Sequence, residues 1–173
     1  HNIITGNSLI DDKSVDPQAF EWKEKFPEVF SDGGFDIVIG NPPWQLVQPD
    51  IDEFFSPLLK MKLLLSKEYP NKVPLFSTLK KNKKTILVNK CLEDPTTEKN
   101  WKLYKNQYYN QKDFFLNTQN YQYQMMKING KKPTGIGINL YKLFVEKFFN
   151  ISKETGLLGI VLPSNIYSDL GSL

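Results

Sequence analysis

At 173 residues, 40% of them hydrophobic, the chain is long enough to bury the core of one ordinary domain. One cysteine (Cys91) and one histidine (His1) exclude a disulfide framework, a Cys/His zinc cluster and a Ser-His-Asp triad. The net charge of +3 hides an uneven distribution: all 22 basic residues are lysines, and 16 of them fall between Lys60 and Lys132 against five acids, while the remainder holds six against 14.

A basic middle between acidic ends fits a segment facing an anionic partner, or equally a solvated lysine-rich surface. No window of about 18 apolar residues and no basic-then-apolar leader occurs, so no membrane partner is expected. Scarce cysteine fits a cytoplasmic location. A strand-like opening and the abrupt Gly171-Ser172-Leu173 end read as a fragment of something longer.

In chain order, Asn2 to Thr5 reads as a short buried strand ending at Gly6-Asn7-Ser8. Asp12 to Asp32 reads as helix or loop with Trp22, Phe26, Val29 and Phe30 turned inward. Gly33-Gly34 turns the chain into a second strand, Phe35 to Ile39, which stops at Gly40-Asn41. About 90 residues, Trp44 to Thr134, then follow, far longer than an ordinary α/β crossover, and so read as an insertion. Within it, Ser56-Pro57 and Asp94-Pro95 are helix-start signals. The first precedes Leu58, Leu59, Leu63 and Leu65; the second precedes Trp101, Tyr104, Tyr108 and Phe115 at mostly helical spacing. Lys80-Lys81-Asn82-Lys83-Lys84 reads as a connecting loop, and Asn129 to Gly137 closes the insertion. Leu140, Leu143, Phe144, Phe148 and Ile151 form one helical apolar stripe, with Gly156 as its C-cap and Leu157 to Leu162 as a third strand ending at Pro163-Ser164-Asn165. The fold class is therefore α/β: a partial Rossmann-like sheet with a largely helical insertion, divided as residues 1–46, 47–134 and 135–173.

The three polar strand ends collect at one edge of such a sheet, where ligands bind in open α/β folds. Phe35-Asp36-Ile37-Val38-Ile39-Gly40-Asn41-Pro42-Pro43-Trp44 is the most informative of them. Pro42 and Pro43 donate no ladder hydrogen bonds, and proline forces the residue before it into extended backbone. The resulting rigid turn aims the Asn41 amide oxygen and a backbone carbonyl at one spot beside the Trp44 indole. Two acceptors and a flat wall suit an exocyclic amino group on a planar ring. A plain proline turn with a core tryptophan is the alternative.

Asn-Pro-Pro-aromatic after an apolar strand resembles the motif of amino-group methyltransferases, best known in N6-adenine DNA methyltransferases. GFDIVIGNPPW after FPEVF resembles the large bacterial restriction–modification and phage-defence methylases. Ile4-Thr5-Gly6-Asn7-Ser8-Leu9 is similar to the preceding motif of that family. Asn139-Leu140-Tyr141 through Phe144 and Glu146, then GLLGIVLPSNIYSDLGSL, is similar to its following helix–strand segment. The resemblance covers roughly residues 1–46 and 135–173.

It implies an S-adenosylmethionine-dependent DNA adenine N6-methyltransferase in a restriction–modification system, such as a type II restriction enzyme. The partner would be double-stranded DNA with a flipped adenine. Asn41, Pro42, Pro43 and Trp44 would form the catalytic set, with Asn41 and the Pro42 carbonyl holding the amino group and Trp44 stacking on the base. Gly6 and Asn7, otherwise turn residues, and Phe144, otherwise core, would bind cofactor. Ser164 and Asn165, otherwise a strand-ending turn, would flank the base. Lys80, Lys81, Lys83 and Lys84 would meet phosphates, and the Trp101–Tyr109 aromatics would contact bases or simply form helical core. No glycine-rich cofactor loop appears, so the fragment is expected to be inactive alone and to depend on the rest of the same polypeptide: cofactor loop, recognition domain and a nuclease. Two other readings stand: a protein-glutamine or RNA amino-group methyltransferase, and a non-catalytic DNA-binding module.

Overall fold

A computed structural model describes residues 3–118, 120–122 and 137–167. The chain divides into two compact units, His1–Val47 with Tyr109–Leu173, and Gln48–Tyr108.

Local chemistry places most of the elements. The Glu21 carboxylate accepts from the Lys23 amide to open α1 (Trp22–Lys25), and Pro27 stands first in α2 (Pro27–Ser31). Gly33 and Gly34 follow with φ of +92° and +122°, and a Cβ on Gly34 would lie 2.7 Å from the Ile151 carbonyl oxygen. Both conformation and space therefore demand glycine before β1 (Phe35–Gly40). Asp50 caps α3 (Ile51–Phe55) by accepting from the amides of Asp52 (2.7 Å) and Glu53 (3.2 Å). Then come α4 (Leu59–Glu68), a 3-10 turn (Phe76–Thr78) and α5 (Lys81–Leu92). Asp94 accepts from both the amide and hydroxyl of Thr97, at 2.8 and 2.7 Å, at the start of α6 (Pro95–Asn117). The chain closes with α7 (Leu140–Ile151), β2 (Ser152–Ile160) and a 3-10 turn (Ser164–Tyr167).

In the first unit, β1 and β2 pair in parallel, with Ile37 opposite Leu157, Val38 opposite Leu158 and Gly40 opposite Ile160. Helix α7 covers one face. There Phe148, Ile151 and Val38 are buried, packed by Phe35, Phe144, Leu158 and Ile160, with Trp22 and Phe30 beside them. On the opposite face Ile37, Ile39 and Leu157 are 58%, 80% and 68% exposed. Parallel sheets are ordinarily covered on both faces. A further buried group holds Leu9, Ile10, Phe20, Phe115 and Tyr121, and the Tyr121 hydroxyl donates to the Leu9 carbonyl.

The second unit has its own core of Phe55, Met61, Leu65, Phe76, Leu87 and Cys91. Trp101 seals it, its ring 5.0 Å from Phe54 and 5.1 Å from Phe55. Burial of the Cys91 thiol raises its pKa, as expected of a packed rather than a reactive cysteine.

Several sequence expectations change. Residues 3–5 form no strand, and Ile3 and Ile4 are exposed; Asn2 lies outside the described residues. The described sheet thus has two strands, not three. Ser56 is the C-cap of α3 rather than an N-cap, and α4 begins two residues after Pro57. The Lys80–Lys84 stretch is no loop: Lys80 is the residue just before α5 and the others make its first turn. Gly156 is not a helix C-cap, because α7 ends at Ile151 and Gly156 lies inside β2, in the register irregularity between the Phe35 and Ile37 pairings. A Cβ there would lie 2.9 Å from the Phe35 carbonyl oxygen, so the glycine serves strand approach. Helix α6 carries the second half of the insertion read from the sequence, and its residues from Tyr109 onward belong to the first unit. The closing segment, residues 129–136, lies outside the described residues. Among the described residues no helix is long and apolar enough to cross a membrane.

Candidate functional site at the carboxyl end of β1

The turn after β1 is clamped at both ends. The Gly40 carbonyl accepts from the Val161 amide at 3.0 Å, which ties it to the chain just past β2. Five residues later the Gln45 carbonyl accepts from the Leu140 amide at 2.9 Å, at the first residue of α7, and the Val47 amide donates to the Ile138 carbonyl at 2.8 Å. Leu46 and Asn139 complete an antiparallel bridge between these clamps. Asn41-Pro42-Pro43-Trp44 is therefore held between a strand end and a helix start.

Within this frame Pro42 is buried, whereas Asn41 and Pro43 are exposed and Trp44 is 53% exposed. Among the described residues, the Asn41 side chain, the Pro42 carbonyl and the Trp44 Nε1 make no hydrogen bond. Asn41 and Trp44 present their polar groups to solvent, whereas Pro42 lies buried between them. The arrangement offers two amide oxygens to N–H donors and an indole face to a ring. Pro163, Ser164 and Asn165 follow the adjacent strand, and the Pro163 carbonyl accepts from the Ile166 amide at 3.1 Å in the 3-10 turn. Parallel pairing of Gly40 with Ile160 thus brings the Asn41 and Ser164 segments to the same sheet edge. Ser164 is exposed; the Asn165 side chain and residues 168–173 lie outside the described residues.

The residues expected to meet a cofactor are engaged otherwise. Asn7 Nδ2 donates to Asp16 Oδ2 at 2.7 Å, and its Oδ1 accepts from the Leu9 amide at 3.2 Å. A Cβ on Gly6 would lie 2.9 Å from the Phe20 ring, so this glycine admits a side chain of the same loop. Phe144 packs in the core beside Phe148, ring centroids 5.7 Å apart. Two cavities of the first unit, of about 490 and 440 Å³, adjoin Asp11 and Glu21, and neither is lined by Gly6, Asn7 or Phe144.

The larger cavity adjoins Lys147, a buried ammonium 5.3 Å above the Tyr121 ring. Burial lowers its pKa, while Asp11, Glu21 and Glu146 push it back up. At the other end of β1, Lys153 donates to Asp36 at 2.8 Å and also pairs with Asp32. The Lys153 hydrogen bond holds the Asp36 carboxyl below its ordinary pKa.

In the second unit the four candidate lysines separate into two kinds. Lys83 pairs with Glu68, and Lys84 donates to both Asp52 oxygens at 2.7 Å with its ammonium 5.4 Å from the Phe76 ring centroid. Lys80 and Lys81 are exposed and make no ion pair among the described residues. Of the aromatic stripe, Trp101 is core and the Tyr104 hydroxyl donates to Glu53 at 2.8 Å, so the helical-core reading holds. Burial raises the Tyr104 pKa above its ordinary value. Only Tyr109, 56% exposed, is free of that packing.

Sequence reasoning placed Phe148 in a helical apolar stripe but not against Gly40, and it passed over the Gln45–Leu140 clamp. A Cβ on Gly40 would lie 2.6 Å from Phe148 Cζ, so this glycine makes room for a core ring rather than for a ligand. The helical aromatic pair Phe144/Phe148 was visible, but which ring faced Gly40 was not.

Residues 1–49 match the family model described as Eco57I restriction-modification methylase. The match ends five residues beyond Trp44 and supports a restriction–modification methylase relationship for this segment. No curated protein and no solved structure matches the chain.

Proposed function

We propose that this chain carries the methyl-acceptor site of an S-adenosylmethionine-dependent DNA adenine N6-methyltransferase, working within a restriction–modification or related defence enzyme. The observation that carries the reading is the exposed Asn41 side chain, next to a Pro42 carbonyl without a hydrogen bond among the described residues, beside the half-exposed Trp44 at the carboxyl end of a parallel strand. The match of residues 1–49 to a methylase family supports it.

The chemistry of these residues follows from the target. An adenine amino group is a poor nucleophile because its lone pair is delocalised into the ring. Two acceptors fixed in space bind both N–H bonds and favour a pyramidal nitrogen with a localised lone pair. Positioning and preorganised dipoles do this work, without a histidine or cysteine. Clamps on either side of the turn hold the backbone from which these acceptors project. Trp44 supplies a stacking face for a base swung out of the duplex.

The test is transfer of a labelled methyl group from S-adenosylmethionine to adenine-containing duplex DNA by the full-length protein. Asn41→Ala should abolish transfer while DNA binding persists. Loss of neither, or transfer to a protein or RNA substrate instead, overturns the reading.

A further inference from the structure

We infer that Phe148 is a positioning residue for the acceptor site: its ring, wedged beneath Gly40, sets the height at which Asn41, Pro42 and Trp44 leave the sheet. The inference rests on the function proposed above for its kinetic part only.

Two facts carry it. Gly33 and Gly34 are the glycines with positive φ among the described residues, so Gly40 adopts backbone that any residue could adopt. What excludes a side chain at position 40 is space alone. A Cβ there would lie 2.6 Å from Phe148 Cζ and 2.7 Å from Cε2, closer than carbon atoms approach without something shifting. The ring and the bare Cα are therefore in direct contact, one residue before Asn41.

Phe148 is not free to yield. It is 9% exposed and sits among Val38, Ile151, Phe144 and Leu158 on the covered face of the sheet. On its other flank Gly40 is held through its carbonyl by Val161. A strand end caught between a fixed ring and a fixed hydrogen bond has one position. Packed interiors transmit such displacements rather than absorb them. A shift at Gly40 therefore reaches Asn41 directly, because the two prolines leave the turn little slack.

The test is a size exchange in the full-length protein: Gly40→Ala, Phe148→Leu and the double variant. Two readouts are needed. One is the ¹⁹F resonance of Trp44 in protein labelled with 5-fluorotryptophan, assigned by its disappearance in Trp44→Phe. The other is kcat and KM for methyl transfer to adenine DNA. Gly40→Ala should shift the Trp44 resonance and lower kcat by about tenfold or more with little change in KM, as expected of misplaced reacting groups. Phe148→Leu should move both less. The double variant should return the resonance and kcat most of the way, because the shorter side chain leaves room for the added methyl.

Additive losses in the double variant, or an unchanged resonance in Gly40→Ala, overturn the wedge. If Gly40→Ala fails to fold, Phe148→Leu decides alone, and an unmoved Trp44 resonance there overturns it. Should the unmutated protein transfer no methyl group, the proposed function fails while the fluorine resonance still decides the role of Phe148.

Discussion

The Val161 amide donates to the Gly40 carbonyl at 3.0 Å, and with this bond the β1–β2 ladder ends one residue before Asn41. Val161→Pro removes the donor and also fixes φ at that position. A hydrogen bond of this kind contributes about 0.5–1.5 kcal/mol to stability. The expected outcome is a small fall in the melting temperature and a larger fall in methyl transfer, because the lost bond fixes the acceptor turn. Val161→Ala, which keeps the N–H, should leave transfer within about twofold of the parent, as surface substitutions ordinarily do.

Trp44 exposes 53% of its surface and makes no hydrogen bond among the described residues, so folding has little claim on it. Aromatic stacking is worth about 1–3 kcal/mol per base. Trp44→Ala should accordingly weaken binding of DNA carrying an unpaired or mismatched target adenine by about tenfold or more, read by equilibrium titration. Trp44→Phe should restore most of it, and thermal stability should change by no more than about 0.5 kcal/mol in either variant.

The lysines of α5 should separate by experiment. Lys80→Ala with Lys81→Ala should flatten the salt dependence of DNA affinity, by about 0.9 in the log–log slope for each phosphate no longer neutralised. Lys83→Ala and Lys84→Ala should instead lower the stability of the 48–108 unit, since they leave Glu68 and Asp52 unpaired. These pairs are about one-third exposed at most on either side, so each loss should stay near 0.2–1 kcal/mol, about the range of surface pairs. Titration at several salt concentrations and urea unfolding read the two effects apart.

Asp94 gives the 48–108 unit an acid-sensitive helix start. The Thr97 hydroxyl, and then its amide, hold the Asp94 carboxyl below its ordinary value of 3.8. The folded chain thus keeps this group charged to lower pH than the unfolded chain does. The stabilisation is complete above 3.8 and is lost as pH falls through the lowered folded value. Asp94→Ala should therefore melt below the parent at neutral pH, and the two should converge in acid. A gap that persists unchanged into strong acid would mean that the carboxylate contributes nothing through its charge.

How far these elements could be read from sequence depended on where their causes lie. β1 and α7 were legible because each carries its signal within itself: a continuous apolar run after Gly33-Gly34 in one, a stripe at helical spacing in the other. Asp94-Pro95 worked for the same reason, a cap and its helix being adjacent. Residues 3–5 misled because an apolar run becomes a strand only beside a partner, and none of the described residues pairs with them. Ser56-Pro57 misled because Asp50 had already opened a helix that Ser56 closes. At Lys80–Lys84 composition read as loop, yet lysine is a good helix former and Lys83 and Lys84 each find a carboxylate on another segment.

The turn after β1 was legible in its local stiffness and not in what holds it. Asn41, the prolines and Trp44 announce a rigid exit from a strand. What holds that exit, Val161 on one side, Leu140 on the other and Phe148 below, comes from 100 residues or so further along the chain. Local sequence carries no record of such partners.

Pro42 and Pro43 have a consequence for how the site is watched. Neither carries an amide proton, so the middle of the most constrained turn is silent in hydrogen exchange and in amide NMR spectra. Binding events there reach those methods only through the neighbours, Asn41 and Trp44. The Trp44 indole, half in solvent and placed where a ring would lie, is the natural reporter of a site whose own backbone says little.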